Sequence, residues 1–337
     1  MQITLRLRGL WCVPIEWSWC SSPRACKATH PHHRNSLAHM KTFLSGCIAA
    51  LMLSMVVSAC TQENAPNNTM QPAINIQLGL HGSAFCNALG QEKARINRQP
   101  AGVNFYERNW SSNSQGSVQF EHGPHSFTLN NVLTIMGTED QRRLAFGVED
   151  IYISFGLSPD DDTSHNDARL QTMALLKRLQ DAGWQQYYLI SSARLKGRSS
   201  LTEYVMDARY VPSFEEWMRL DSMQWKLQAN GVYMAITLDR DGTRLDPEKP
   251  GAYLISMTLN TEEYYCRVGL PEAERSDWKT AYPNSLAMHK GYRADEEKAA
   301  RAKGLEIDTD YQDQPILAIV DARGLRQVHG PRNRRCR

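Results

Sequence analysis

The chain contains no G-x-S-x-G elbow, no H-E-x-x-H helix, no G-x-x-x-x-G-K-S/T loop and no G-x-G-x-x-G after a strand. Those absences lower the expectation of a serine hydrolase, a zinc protease, a phosphate-loop enzyme or a dinucleotide enzyme, although a catalytic triad can still assemble from scattered residues. No repeat of about 20 to 50 residues is present, which argues against a solenoid. Cysteine is sparse after Cys60: of eight in the chain, only Cys86, Cys266 and Cys336 follow it.

The cysteine at position 60 stands where an apolar run stops and a polar one begins. Met40 and Lys41 precede "FLSGCIAALMLSMVV", residues 43–57, and then Ser58 and Ala59. A positive n-region, an apolar h-region and a small-residue cleavage site form the layout of a secretory signal peptide. Val57, Ser58, Ala59 and Cys60 resemble the lipobox of bacterial lipoproteins. That resemblance implies acylation of Cys60, removal of residues 40–59 and outer-membrane sorting, since Thr61 rather than Asp follows the cysteine. Each buried CH₂ contributes about 0.8 kcal/mol, so several acyl chains anchor stably where one does not. From Phe43 to Ala59 the run is at the lower edge of the roughly 17 to 25 residues that a membrane span needs.

A signal peptide must be N-terminal, so translation is expected to start at Met40, with residues 1–39 a mis-assigned extension. Cys20, Cys26, His30, His32 and His33 in that extension are zinc-ligand types, but their spacing fits no standard pattern. Residues 60–73, which include "TQENAPNNTMQP", read as a flexible tether, residues 74–320 as the folded domain with a possible split near 210, and residues 321–337 as a basic tail.

The full chain has a formal charge of +2. Removing residues 1–59 leaves about −3, and setting aside the six arginines of the last sixteen residues leaves about −9 on the body. An acidic, exported body argues against nucleic acid as a partner. The tail "GPRNRRCR" is a cationic run at a terminus, where disorder is the usual state. Among the three remaining cysteines the expected bridge joins Cys86 to Cys266, because Cys266 falls in a strand-like run and Cys336 on the tail.

From Ser117 onward the patterning is clear. "SVQFE" and "HSFTLNNVLTIM" alternate about a His122-Gly123-Pro124 turn, and "DIYISFGL" follows as a strand. "SHNDARLQTMALLKRLQDAG" reads as a helix capped by Ser164, with Leu170, Met173, Leu176 and Leu179 on one face and Gly183 ending it. "WQQYYLI" is expected as a strand and "YVPSFEEWMRL" as a helix opened by Ser213 and Glu216. Asn230-Gly231 in "WKLQANGVYMAITLDRD" is the strongest hairpin signal in the chain. "AYLISMTLN" and "EYYCRVGL" are expected to continue the sheet, and "ADEEKAARAKG" to form a solvated helix with Glu297 and Arg301 four apart. The element order predicts an α+β fold, antiparallel sheets built from hairpins with two to three packed helices.

Three clusters are candidate sites. His122 and His125 flank a turn beside Glu121, and with His81 they are a candidate metal set, although two exposed histidines at a hairpin tip need no function. Asp160, Asp161, Asp162 and Asp167 are a candidate Ca²⁺ cluster, but acids at a helix start are also explained by the helix dipole. Asp241-Gly242 matches a calcium loop for a few positions only and reads as a turn. The remaining feature is a crowd of aromatics, including Trp184, Tyr187, Tyr188, Tyr210, Trp217, Trp225, Tyr233, Tyr264 and Tyr265. Adjacent residues in a strand face opposite ways, so an exposed binding surface is expected on Trp217, Trp225 and Tyr233 beside the Asn230-Gly231 hairpin.

"LLKRLQDAGWQQYYL", "ARYVPSFEEWMRL" and "WKLQANGVYMAITLDR" resemble uncharacterised bacterial envelope lipoproteins. Some proteins of that kind act as immunity factors that bind secreted toxins, and the resemblance brings no catalytic residues and no cofactor with it. The expectation is therefore a lipid-anchored, non-enzymatic binding protein with a protein partner. Its rival is a periplasmic hydrolase of cell-wall or lipid substrates with acids and histidines at the hairpin tips.

Overall fold

The computed structural model describes residues 72–322, with 161 and 221 excepted. Cys60, residues 1–59, most of the expected tether, Asp161, Cys336 and the tail beyond 322 lie outside the described residues. In chain order the elements are β1 (Ile74–Ile76), α1 (Gly82–Ala88), β2 (Arg95–Gln99), β3 (Val103–Asn109), β4 (Gly116–Phe120), β5 (Phe127–Asp140), β6 (Asp150–Gly156), β7 (Asp162–Thr163), α2 (His165–Asp181), β8 (Gln185–Gln186), α3 (Phe214–Arg219), β9 (Met223–Ala229), β10 (Val232–Arg240), β11 (Gly251–Thr261), α4 (Glu262–Val268), α5 (Trp278–Ala302) and α6 (Leu317–Ala322). This is an α+β fold.

All the strands belong to one sheet whose main path runs β1-β4-β5-β6-β11-β10-β9-β8, with β2 and β3 continuing from the second half of β5. Among the strands of the described residues only β1 and β4 pair in parallel, with one isolated parallel bridge from Val205 to Gln224. Period-2 alternation gives the sheet two unlike faces. Ile135, Ile153, Met257, Ile236 and Trp225 lie side by side across five strands on one face, all fully buried. Phe85 and Leu89 of the α1 region and Leu175, Leu176 and Leu179 of α2 pack in the same cluster. Three residues away along each strand, on the other face, runs a polar row: Thr138, Asp150, Asn260, Tyr233, Gln228 and Gln185. The sheet and its core continue across residue 210, drawing on residues from both sides of it.

Local chemistry explains most boundaries. Ser164 caps α2 by accepting from the Asp167 amide, and Gly183 follows at φ 87°. Its buried stripe is Ala168, Thr172, Leu175, Leu176 and Leu179, and Leu170, expected on the inner face, is 48% exposed. Ser213 and Glu216 form a reciprocal capping box on α3. Asn230 and Gly231 sit at φ 41° and 77°, both in the left-handed region that a two-residue hairpin requires.

Two expectations are corrected here. "EYYCRVGL" is the helix α4, because the Thr261 side chain caps it at the Tyr264 amide and Glu262 and Glu263 occupy its first turn, where the dipole favours acids. The "ADEEKAARAKG" segment is the end of the 25-residue α5, and Glu297 is 4% exposed, bonded by Arg194 and Arg301 rather than solvated. The sheet covers more of the chain than expected, with β1, β2 and β3 before Ser117, and the described residues hold six α-helices. No helix among the described residues is long and apolar enough to cross a membrane.

Candidate binding site

Trp217, Trp225 and Tyr233 do not form an exposed surface. Trp217 and Trp225 are fully buried and Tyr233 is 7% exposed. Trp225 points into the apolar face because it alternates with Gln224 and Lys226, and Trp217 packs against Tyr253 at 6.3 Å between ring centroids. The Cys86–Cys266 bridge is corrected as well: both are free, buried thiols. They belong to separate clusters, Cys86 beside the large core and Cys266 with Leu270, Trp278 and Tyr282. Burial pushes the Cys266 thiol up to about 12, with hydrogen bonding from Tyr282 opposing the rise.

The histidine tip is tied into the fold. His122 Nε2 bonds the Ala229 carbonyl at 2.9 Å and His125 Nδ1 bonds the Ala182 carbonyl at 2.8 Å. Burial lowers the His122 pKa, so its imidazole favours the neutral form. His81 is the exposed residue preceding α1. Of the expected acidic cluster, Asp162 pairs with Arg244 and Asp167 with its own cap, Ser164. Asp241 accepts from the Thr243 amide and hydroxyl and so closes a turn. Among the described residues no group of three His, Cys, Asp or Glu side chains is placed to hold a metal ion.

What the aromatics build instead is a cavity of about 200 Å³. The sheet contributes Gln228 and Tyr233, cross-strand partners on the polar face. Tyr187 and Tyr188 come from the chain just after β8, Tyr265 from α4, Tyr282, Leu286 and Lys290 from α5, and Tyr311 to Ile316 from the segment before α6. Tyr233 and Tyr265 stack face to face at 4.0 Å and 4°, and Tyr187 meets both edge-on at 5.1 and 5.8 Å. Tyr188 and Tyr311 form a second edge-on pair at 4.9 Å. At the rim Asp313 accepts from Arg293 at 2.9 Å and faces Lys290 at 3.3 Å.

Burial raises the pKa of all six phenols, that of Tyr311 to about 12. They are therefore neutral hydroxyls, able to donate and accept, throughout the physiological range. Most have partners: Tyr187 bonds Tyr265, Tyr188 donates to the Leu195 carbonyl at 3.1 Å, and Tyr282 bonds Cys266. Two polar side chains do not. The Tyr233 hydroxyl and the Gln228 carboxamide, each 7% exposed, have no hydrogen-bond partner among the described residues. Neither polar end is among the fully enclosed unpartnered atoms of the described residues, so both keep access to the cavity they line, where a bound molecule can supply the bonds.

The cavity opens beside a wider groove of about 550 Å³ that shares Tyr311 and Gln314 and is lined further by Trp184, Gln185, Gln186 and Arg209. Arg209 is fixed there by Asp207 at 2.8 Å and Asp308 at 2.6 Å. The sequence carried one usable sign of this site. A two-residue Asn230-Gly231 turn places Gln228 directly opposite Tyr233, so both must share one face, opposite to Trp225. No protein-family model, no curated protein and no solved structure matches this chain.

Proposed function

We propose that this chain is a lipid-anchored binding protein of the bacterial envelope, tethered through Cys60, that holds its ligand non-covalently in the tyrosine-lined cavity. The observation that carries the reading is the pair of nine-tenths-buried, unpartnered polar groups, Gln228 and Tyr233, on the cavity wall. The binding role moves from an aromatic surface to an aromatic cavity because Trp217 and Trp225 are in the core. Neutral phenols, a carboxamide and an Asp313 already flanked by two cations are suited to recognition rather than proton transfer at neutral pH. The histidines invoked for a hydrolase each have a ring nitrogen occupied by a backbone carbonyl, which favours the binding reading.

The test uses the full chain produced in bacterial cells and purified in detergent. Mass spectrometry is expected to find an acylated Cys60 as the first residue, and Cys60→Ser to leave an unacylated precursor. Incubation with envelope extract, recovery of the protein and analysis of what remains bound should give an unaltered ligand whose retention falls in Tyr233→Phe. Recovery of a cleaved product that accumulates with time would favour the hydrolase.

A further inference from the structure

The geometry points to a hexopyranose ring of an envelope glycan as the occupant of the tyrosine-lined cavity, with the sugar chain continuing along the adjoining groove. This deepens the binding reading above and rests on it. Three observations select the chemistry, beginning with size. A volume of about 200 Å³ corresponds to roughly seven waters by liquid volume, the class of a single six-membered ring, and the groove of about 550 Å³ gives room for more of the chain outside.

The second observation is the kind of polar group left open. Gln228 offers two donors and an acceptor, and Tyr233 one hydroxyl that does both, side by side on neighbouring strands. A sugar ring presents hydroxyls that also donate and accept, next to C–H faces that pack on aromatic rings. In the groove Gln186 is occupied at both ends by backbone groups and Gln180 donates to the Ala208 carbonyl, whereas Gln312 and the unbonded sides of the Gln185–Gln314 pair offer further amide groups beside Trp184 and Tyr311.

The third is what the cavity disfavours. An aromatic box suits a quaternary ammonium ion. Here, however, the one carboxylate at the rim is already held by Lys290 and Arg293, and two of the rings are stacked on each other. A third cation would meet two others. An apolar peptide side chain, such as a phenyl ring, would fill the space but leave the Gln228 amide and Tyr233 hydroxyl dry and unpaired, which is costly for buried polar groups.

The experiment titrates the detergent-purified full chain by isothermal calorimetry and ligand-observed NMR with four probes. These are the N-acetylated disaccharide of the cell wall, deacylated lipopolysaccharide oligosaccharide, a cell-wall tetrapeptide and tetramethylammonium chloride. Saturable binding of either sugar is expected, and the tighter of the two names its source. Tyr233→Phe keeps the ring and its stack and should weaken sugar binding about three- to tenfold, the worth of one neutral hydrogen bond, and Gln228→Leu at least tenfold. Circular dichroism and melting temperature establish that both variants fold.

Binding of the peptide or the ammonium ion instead, reduced in Gln228→Leu, would overturn the glycan assignment while leaving the cavity as the binding site. Sugar binding that is unchanged in both folded variants would overturn the cavity as well. Absence of binding by all four probes would overturn the glycan assignment.

Discussion

Trp225 separates a core residue from a contact residue, and its replacement is the sharpest test of how the aromatics are deployed. The side chain is fully buried between Met223 and Leu227 on β9, opposite Ile236 of β10. An aromatic side chain of this kind buries about 150 to 250 Å², and at about 25 cal/mol per Å² Trp225→Ala forfeits roughly 4 to 6 kcal/mol. Measured large-to-small aromatic changes cluster at about 3 to 5 kcal/mol, out of a total domain stability of about 5 to 15. Trp225→Ala is thus expected to leave a barely folded protein. Trp225→Phe should cost far less, about 1 to 2 kcal/mol, because the indole N–H has no hydrogen-bond partner to lose. Urea unfolding followed by circular dichroism reads the difference as a shift in midpoint at constant slope. A Trp225→Ala protein less than 1 kcal/mol below wild type would refute the placement, since that is the range of exposed positions.

Other consequences are open to direct measurement. Burial raises the Asp150 carboxyl pKa, although Thr138 and Asn260 both donate to it. A carboxyl with a raised folded pKa holds its proton more tightly when native, so its contribution to stability is lost as pH rises from about 4 through the folded value. Asp150→Asn should therefore be more stable than wild type at pH 7 and nearly equal to it below about pH 4, as followed by thermal melting. Cys86 and Cys266 should resist alkylation in the native protein and react in urea without any reductant; peptide mapping that finds them joined would contradict the structure. Gly231→Ala meets only ordinary contacts but must hold φ near 77°, so a loss of about 1 to 2 kcal/mol is expected by urea titration.

The parts of the fold legible in the sequence were those specified by local chemistry. Ser164 and Gly183 bound α2, Ser213 and Glu216 open α3, and Asn230-Gly231 turns β9 into β10, each by interactions within a few residues. Where the deciding partner is distant, the pattern misled. "EYYC" alternates no worse than a strand, but a Thr261 cap and two leading acids make it helical. Glu297 looks like a surface residue until Arg194, far away in sequence, closes on it at 2.6 Å. The site was half visible. The crowd of tyrosines was evident, but adjacent Tyr187 and Tyr188 both turn inward because β8 ends at Gln186, so the rule that strand neighbours face opposite ways does not govern them. The partners that complete the cavity, Tyr282, Lys290 and Tyr311, lie roughly 50 to 80 residues downstream of the hairpin, and no local pattern links them to it.

The cavity wall built by Tyr311 to Ile316 also imposes an order of assembly. That segment is strapped down by Arg209 on Asp308, Arg194 on the Tyr311 carbonyl and Arg293 on Asp313, and Glu262 then accepts the Leu317 and Ala318 amides where α6 begins. These straps can close only as the chain from Asp308 to Ala318 leaves the ribosome, whereas every strand among the described residues has already emerged by Thr261. A premature stop before Asp308 would therefore leave the strands without this wall of the cavity. The finished cavity is the mark of a chain synthesised past Ala318.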